Sequence, residues 1–229
     1  MGDRRSLAGT SLAAESLLRA CATSDSAGIF SSQEVKPEKG GVWRDYPDVN
    51  RRRLPHVYVP GAPLFLTWHL HGSLPASVMP PPGAAGAGEA FVWIDRQMDA
   101  AGNGPTYLRR AEIADVVVRS IHKGVELGHY ELGAYVVMAN HVHLLIRPLI
   151  APDRIMQSLK GVTAREANRL LGRTGEPFWQ KESYDHVVRD EGEMGKIRKY
   201  IENNPVKVGV VERAEEFRWS SAGEDRASR

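Results

Sequence analysis

The sequence predicts an α+β fold: a ferredoxin-like (split βαβ) antiparallel sheet with helices on one face, plus a C-terminal helix. Three observations predict it. Apolar and β-branched runs alternate with segments of helical period in the order strand, helix, strand, strand, helix, strand, helix. Two of the runs, Tyr135–Met138 and His141–Arg147, are separated only by Ala139-Asn140, as in a hairpin. Glycines and prolines stand at the boundaries, not inside most of the runs.

Leu64 to His71 reads as the first strand, closed by Gly72 and Pro75. Residues 74–106 form a Pro/Gly-rich insertion in which Phe91 to Ala100 could make a short helix. Ala114, Val117, Val118, Ile121 and Val125 recur at helical spacing, so about 107–128 is an amphipathic helix. In the strand from His141 to Arg147, Val142, Leu144 and Ile146 point one way; His141, His143, Leu145 and Arg147 point the other. Asp153 is expected to cap the next helix and Gly172 to stop it. Phe178-Trp179 and Tyr184 to Val188 are short strand candidates, and Glu191 to about Asn204 is a helix ended by Pro205. Residues 1–50 differ in texture. They are rich in Ser, Ala and Gly, carry six basic and seven acidic residues, and read as a poorly ordered extension. Residues 51–222 are the folded domain and 223–229 a tail.

Composition narrows the function classes. With 42% apolar and 25% charged residues in 229, a packed core is expected and wholesale disorder is excluded. No apolar run is long enough to span a membrane, and no secretory leader is expected, so the location read from the sequence is cytoplasmic. A single cysteine, Cys21, excludes a disulfide scaffold and a Cys-rich zinc site. The net charge of +2 does not by itself announce a nucleic-acid binder, although a neutral total can hide a basic face.

Three groups of residues carry chemistry. His141-Val142-His143 places two imidazoles on one face of a strand, within reach of one cation; the same pattern also fits plain polar surface. Tyr200 and Asn204 are i,i+4 neighbours on a helix, so a phenol and an amide oxygen could approach one metal-bound phosphate; a packed tyrosine and an Asn-Pro helix end fit as well. The stretch Trp179 to His186 mixes aromatic and polar groups, as a site wall or a base-stacking surface would, or as a buried Trp on an edge strand would. His69-Leu70-His71 repeats the histidine spacing, Tyr184 is a rival to Tyr200, and His186 is a candidate base.

Taken together, the segment Tyr135 to Ile146 resembles the signature strand pair of the one-tyrosine HUH transposases. Trp179-Gln180, Tyr184-Asp185-His186 and the run Arg198 to Lys207 look like the REP-associated tyrosine transposase branch of that superfamily. The resemblance covers about residues 51–222; residues 1–50 and the Pro-rich 74–90 stretch have no counterpart in it, and Ala139 stands where a proline is usual.

The resemblance implies a metal-dependent enzyme that nicks and rejoins single-stranded DNA, on REP-type hairpins. Tyr200 would be the nucleophile, forming a 5′-phosphotyrosine. His141, His143 and Asn204 would hold Mg²⁺ or Mn²⁺. Arg147, Lys160, Arg165, Trp179, Lys181, Arg198 and Lys199 are the candidate DNA contacts. The expected partner is hairpin-bearing single-stranded DNA near the nucleoid, the expected assembly a monomer or homodimer. A non-catalytic single-stranded nucleic-acid-binding ferredoxin-like module is the alternative; a water-using phosphodiesterase is a third possibility, separated by Tyr200→Phe.

Overall fold

The computed structural model describes residues 61–74, 87–100 and 104–227. The expected N-terminal extension (1–50), the arginine run 51–53 and most of the Pro-rich stretch therefore lie outside the described residues. The elements in chain order are β1 (Leu64–His69), α1 (Ala87–Asp99), α2 (Ala111–Glu126), β2 (Tyr130–Val137), β3 (His141–Pro148), α3 (Pro152–Leu171), β4 (Tyr184–Val187), α4 (Glu191–Lys207) and α5 (Ser221–Ala227). Single 3₁₀ turns precede α2 and α5.

The four strands form one antiparallel sheet in the order β2-β3-β1-β4. This is the split βαβ arrangement, with β1 and β3 as central neighbours. In the central register Thr67 lies opposite His143 and His69 opposite His141. Strand alternation then sorts the side chains. Leu64, Leu66, Trp68, Val142, Leu144 and Ile146 join α2 and α3 in one apolar layer. Phe65, Ala134, Val136 and Leu145 pack on the other face against Ile197 and Ile201 of α4. So α2 and α3 share one face of the sheet, and α4 covers the opposite one.

Local chemistry explains the element ends. The β2–β3 hairpin closes through Met138 N–H donating to His141 O at 2.9 Å, with Ala139 and Asn140 in the turn. β2 shifts register between Leu132 and Ala134, at Gly133, where a Cβ would meet the Leu145 side chain at 3.0 Å. α3 begins at Pro152, favoured in a first turn because it has no N–H to leave unpaired, and ends at Gly172 in the left-handed region (φ 68°). Asp153 is therefore not the cap that the sequence suggested. It sits in the first turn, where its charge complements the helix dipole. Asp190 is the true cap of α4: its Oδ1 accepts from Glu193 N at 2.8 Å.

Pro205 does not end α4, contrary to the expectation from sequence. The helix runs through it to Lys207. A proline removes only its own N–H, and here the remaining turn is held by Val208 N donating to Asn204 O and Gly209 N to Val206 O. The continuation has a consequence for the site, because Tyr200, Asn204 and Lys207 now share one helix face. Among the described residues, no helix is long and apolar enough to cross a membrane.

Candidate metal and phenol site

The two histidines of β3 face α4 and are almost fully buried, with relative exposures of 1% for His141 and 0% for His143. Their proton positions follow from their partners. Asn140 donates its amide to Met98 O at 3.0 Å, so its Oδ1 faces His141 Nδ1 at 2.8 Å as an acceptor. His141 therefore carries its proton on Nδ1 and presents a bare Nε2. His143 Nδ1 lies 2.7 Å from Thr67 Oγ1, while its Nε2 receives the Asn204 amide at 3.3 Å. The same Nε2 also lies 3.1 Å from Asp95 Oδ1, so it faces both the amide and the carboxylate. Burial and the neighbouring His143 push the His141 pKa well below its usual value, which keeps the ring neutral.

α4 brings Tyr200 and Asn204 to the same place. The Tyr200 ring meets His143 edge-on at 5.6 Å and Phe65 at 6.3 Å. Its hydroxyl donates to Asp95 Oδ2, on α1. Asp95 is 1% exposed, and its Oδ1 lies 3.1 Å from His143 Nε2 and 3.9 Å from His141 Nε2. Lys207 completes the group: its Nζ is 3.2 Å from Asp95 Oδ2 and 2.5 Å from Asp99 Oδ2, and it lies 5.5 Å from the centre of the Tyr200 ring.

The two carboxylates divide this environment unequally. Burial would raise the pKa of Asp95, but His143, His141 and Lys207 outweigh it and hold Asp95 well below the ordinary carboxylate range. Burial and the adjacent Asp95 charge push Asp99 up to about 6. Lys207 is also buried, which works against its charge, yet Asp95 and Asp99 keep its pKa raised.

The donor atoms fit a divalent cation. Asp95 Oδ1, Asp99 Oδ1, His141 Nε2 and Asn204 Oδ1 are buried and make no hydrogen bond. Buried acceptors normally find donors, so unpartnered lone-pair atoms on these residues are what a cation would reconcile. Asp95, His141 and His143 each place one ligand atom within 4.8 Å of the others. Two imidazoles with carboxylate and amide oxygens suit Mn²⁺ or Mg²⁺ better than a thiolate-seeking metal.

The remaining sequence candidates fall elsewhere. His69 sits across from His141, but its Nδ1 bonds to Ser73 Oγ at 2.8 Å, and His71 Nδ1 meets Gln180 at 3.3 Å. Neither belongs to the clustered ligand group. Tyr184 packs edge-on against Phe65 at 6.2 Å, and burial raises its pKa. His186 pairs with Glu193 at 3.0 Å, beside the Arg189–Glu193 ion pair, so it braces β4 against the start of α4.

Trp179 does not offer a stacking face. It is 8% exposed, packs against Trp68 and donates its indole N–H to Thr163 Oγ1 at 2.8 Å. Arg147 lies at the far end of β3, bonded to Gly61 O and near Glu131, on the order of 13 Å along the strand from His143. Lys160 reaches Lys181 O at 3.0 Å, which joins α3 to the segment before β4, and Arg165 is exposed on α3. Arg198, paired with Glu202, and Lys199 lie on the exposed side of α4 next to Tyr200.

Sequence reasoning missed Asp95, Asp99 and the supporting Thr67 and Asn140, and it gave Lys207 no site role beyond its place in the Arg198 to Lys207 run. One signal was present: Asp95 follows Phe91-Val92-Trp93-Ile94, an acidic residue closing an apolar run.

The site thus consists of a histidine pair on a central strand of a four-stranded antiparallel sheet and a tyrosine helix packed across it. Residues 106–204 match the family model described as transposase IS200-like. The fold is also that of a solved REP-associated tyrosine transposase bound to a REP hairpin, with a TM-score of 0.51 and 19% identity over 76% of this chain and 84% of that one. A crystal structure of "a putative transposase" from Deinococcus radiodurans R1 aligns over 67% of this chain and 98% of that one, at 21% identity and a TM-score of 0.36. No curated protein matches the chain.

Proposed function

We propose that the protein is a single-strand DNA transposase or endonuclease that nicks and rejoins DNA through a 5′-phosphotyrosine on Tyr200, acting in the cytoplasm on REP-type hairpin sequences. The observation that supports this reading is that Tyr200, through Asp95, joins His141, His143 and Asn204 in one cluster, within a chain whose residues 106–204 match the IS200-like transposase model.

His141, His143 and Asn204 would hold Mg²⁺ or Mn²⁺, which when bound supplies Lewis-acid polarisation of the scissile phosphate. Asn140 keeps His141 Nε2 bare, and Thr67 orients the His143 ring through Nδ1. Phe65 and His143 fix the plane of the Tyr200 ring. The Tyr200 oxygen attacks phosphorus, forming the O–P bond as the bond to the 3′ oxygen breaks. The phenolic proton is balanced by the proton that the departing 3′ oxygen gains. The phosphotyrosine conserves the bond, so a 3′-OH can reverse the step and join strands without a nucleotide cofactor. Arg198 and Lys199, exposed beside Tyr200, are the best placed of the candidate phosphate contacts.

The test is incubation with hairpin-bearing single-stranded DNA and Mn²⁺, resolved on a denaturing gel. A protein–DNA adduct that resists SDS, vanishes in Tyr200→Phe and persists in Tyr184→Phe is the expected result. Cleavage without an adduct would mean water is the nucleophile. Salt-sensitive binding without cleavage would favour the non-catalytic nucleic-acid module.

A further inference from the structure

We propose that Asp95 is a further protein ligand of the divalent cation held by His141 and His143 and, through its second oxygen, the positioning residue for the Tyr200 phenol. The inference rests on the reading above that β3 and α4 hold a cation. Asp95 lies on α1, outside the residues that match the family, so the family likeness assigns it no role.

The two oxygens of Asp95 face different partners. Oδ1 points at the histidine pair, 3.1 Å from His143 Nε2, and makes no hydrogen bond there. That contact needs a positive charge between the two atoms, a proton on Nε2 in the metal-free site or a cation in its place. The separation also suits neighbouring ligands of one ion, since two donors about 2.1 Å from a cation and at right angles are about 3 Å apart. Oδ2 accepts from the Tyr200 hydroxyl and from Lys207. One carboxylate thus ties the phenol to the metal side of the site at a fixed distance. Its charge adds what Asn204, a neutral ligand, lacks.

The backbone of α1 is held in the same way. Asn140 donates to Met98 O while orienting His141, and Lys207 clamps Asp99 one turn after Asp95. Metal loading and the seating of α1 over the site are therefore one equilibrium. This gives the proposal a signature independent of catalysis.

The experiment measures Mn²⁺ binding to the full chain without DNA, from the loss of the free-ion electron paramagnetic resonance signal. Wild type, His141→Ala, Asp95→Asn and Asp95→Glu are compared, each with its thermal melt. His141→Ala should lose binding. Asp95→Asn should weaken it at least about ten-fold, since even outer-shell partners typically contribute that much. Asp95→Glu should recover part of the loss. At saturating Mn²⁺ and DNA, Asp95→Asn should slow adduct formation with the DNA Kd unchanged, and Asp95→Glu should again restore part of the rate.

Wild-type affinity in Asp95→Asn, with binding lost in His141→Ala, would overturn the role of Asp95 alone. Wild-type affinity in His141→Ala would overturn the parent metal reading. Tighter Mn²⁺ binding or faster adduct formation in Asp95→Asn would make Asp95 an occluding group and also sink the proposal. If the Asp95 variants do not fold, hydrogen exchange of wild type decides: Mn²⁺ should slow exchange in α1 as well as in β3 and α4. Slowing confined to β3 and α4 would overturn it.

Discussion

The two faces of the sheet obey different rules. On the α2–α3 face, Leu66, Trp68, Leu144, Ile113, Val117 and Ile121 are buried at 0–2% exposure in a continuous apolar layer. On the α1–α4 face, equally deep positions hold His141, His143, Asn204 and Asp95, several with unsatisfied atoms. Burying polar groups without partners is costly, and low local dielectric magnifies that cost. The same four strands therefore carry a face that stabilises the fold and a face whose stability has been given up to hold reactive groups in place.

The sharpest way to break this contrast is a cavity on the stabilising face. Ile121→Ala lies on α2, remote from the site, and should lower unfolding free energy by about 2–5 kcal/mol. Mn²⁺ affinity of the folded fraction should stay unchanged. Denaturant unfolding with and without metal checks both, and a loss of Mn²⁺ affinity would show that the two faces are not separable.

A second effect belongs to the polar face. If its unpaired donors await a cation, Mn²⁺ at a hundred times its Kd should stabilise wild type by about 2.7 kcal/mol. In His141→Ala the metal-dependent increment should vanish, while the metal-free melt moves little. A Tm in His141→Ala that still climbs with Mn²⁺ would place the binding elsewhere.

What the sequence made legible divides along the same line. Period-2 alternation in His141 to Arg147 identified both faces of β3, and the i,i+4 spacing of Tyr200 and Asn204 identified their shared helix face. Those are short-range patterns. Asp95 was not legible as a site residue, because its partners His143, Tyr200 and Lys207 lie far along the chain and its own surroundings read as a Pro/Gly-rich insertion. Trp179 was ambiguous for a related reason: the Thr163 hydroxyl that takes its N–H is on another element. Pro205 misled because a rule about helix interiors was applied at the last turn, where few hydrogen bonds remain to be lost.

The pH dependence sharpens the polar face further. Asp99 has a folded pKa raised to about 6 by burial and by Asp95, against an unfolded value near 3.9. Between those values the folded state binds more protons than the unfolded one, so stability falls as pH rises through the window and levels off above pH 6. In metal-free protein this should amount to about 3 kcal/mol. Asp95 has the opposite sign: its contribution is present above about pH 4 and is lost on further acidification. Asp99→Asn should remove the fall between pH 4 and 6 and leave the acid limb intact. An unchanged profile would mean that Lys207 keeps Asp99 ionised throughout.

The smallest predicted effect concerns a residue that the two faces would use differently. If Trp179 is core, Trp179→Phe removes the N–H donated to Thr163 and part of the contact with Trp68, while keeping an aromatic ring. Stability should fall by about 1 kcal/mol, the usual net worth of one such hydrogen bond with a little packing. Affinity for single-stranded DNA should not change, because a ring 8% exposed has no face for a base. A stacking residue would behave in reverse: phenylalanine would fold as well as tryptophan and bind DNA more weakly, by up to about 1 kcal/mol. Urea melts and salt-matched binding isotherms on the same variant separate the two. A loss of DNA affinity without a loss of stability would mean that Trp179 leaves the core when DNA binds.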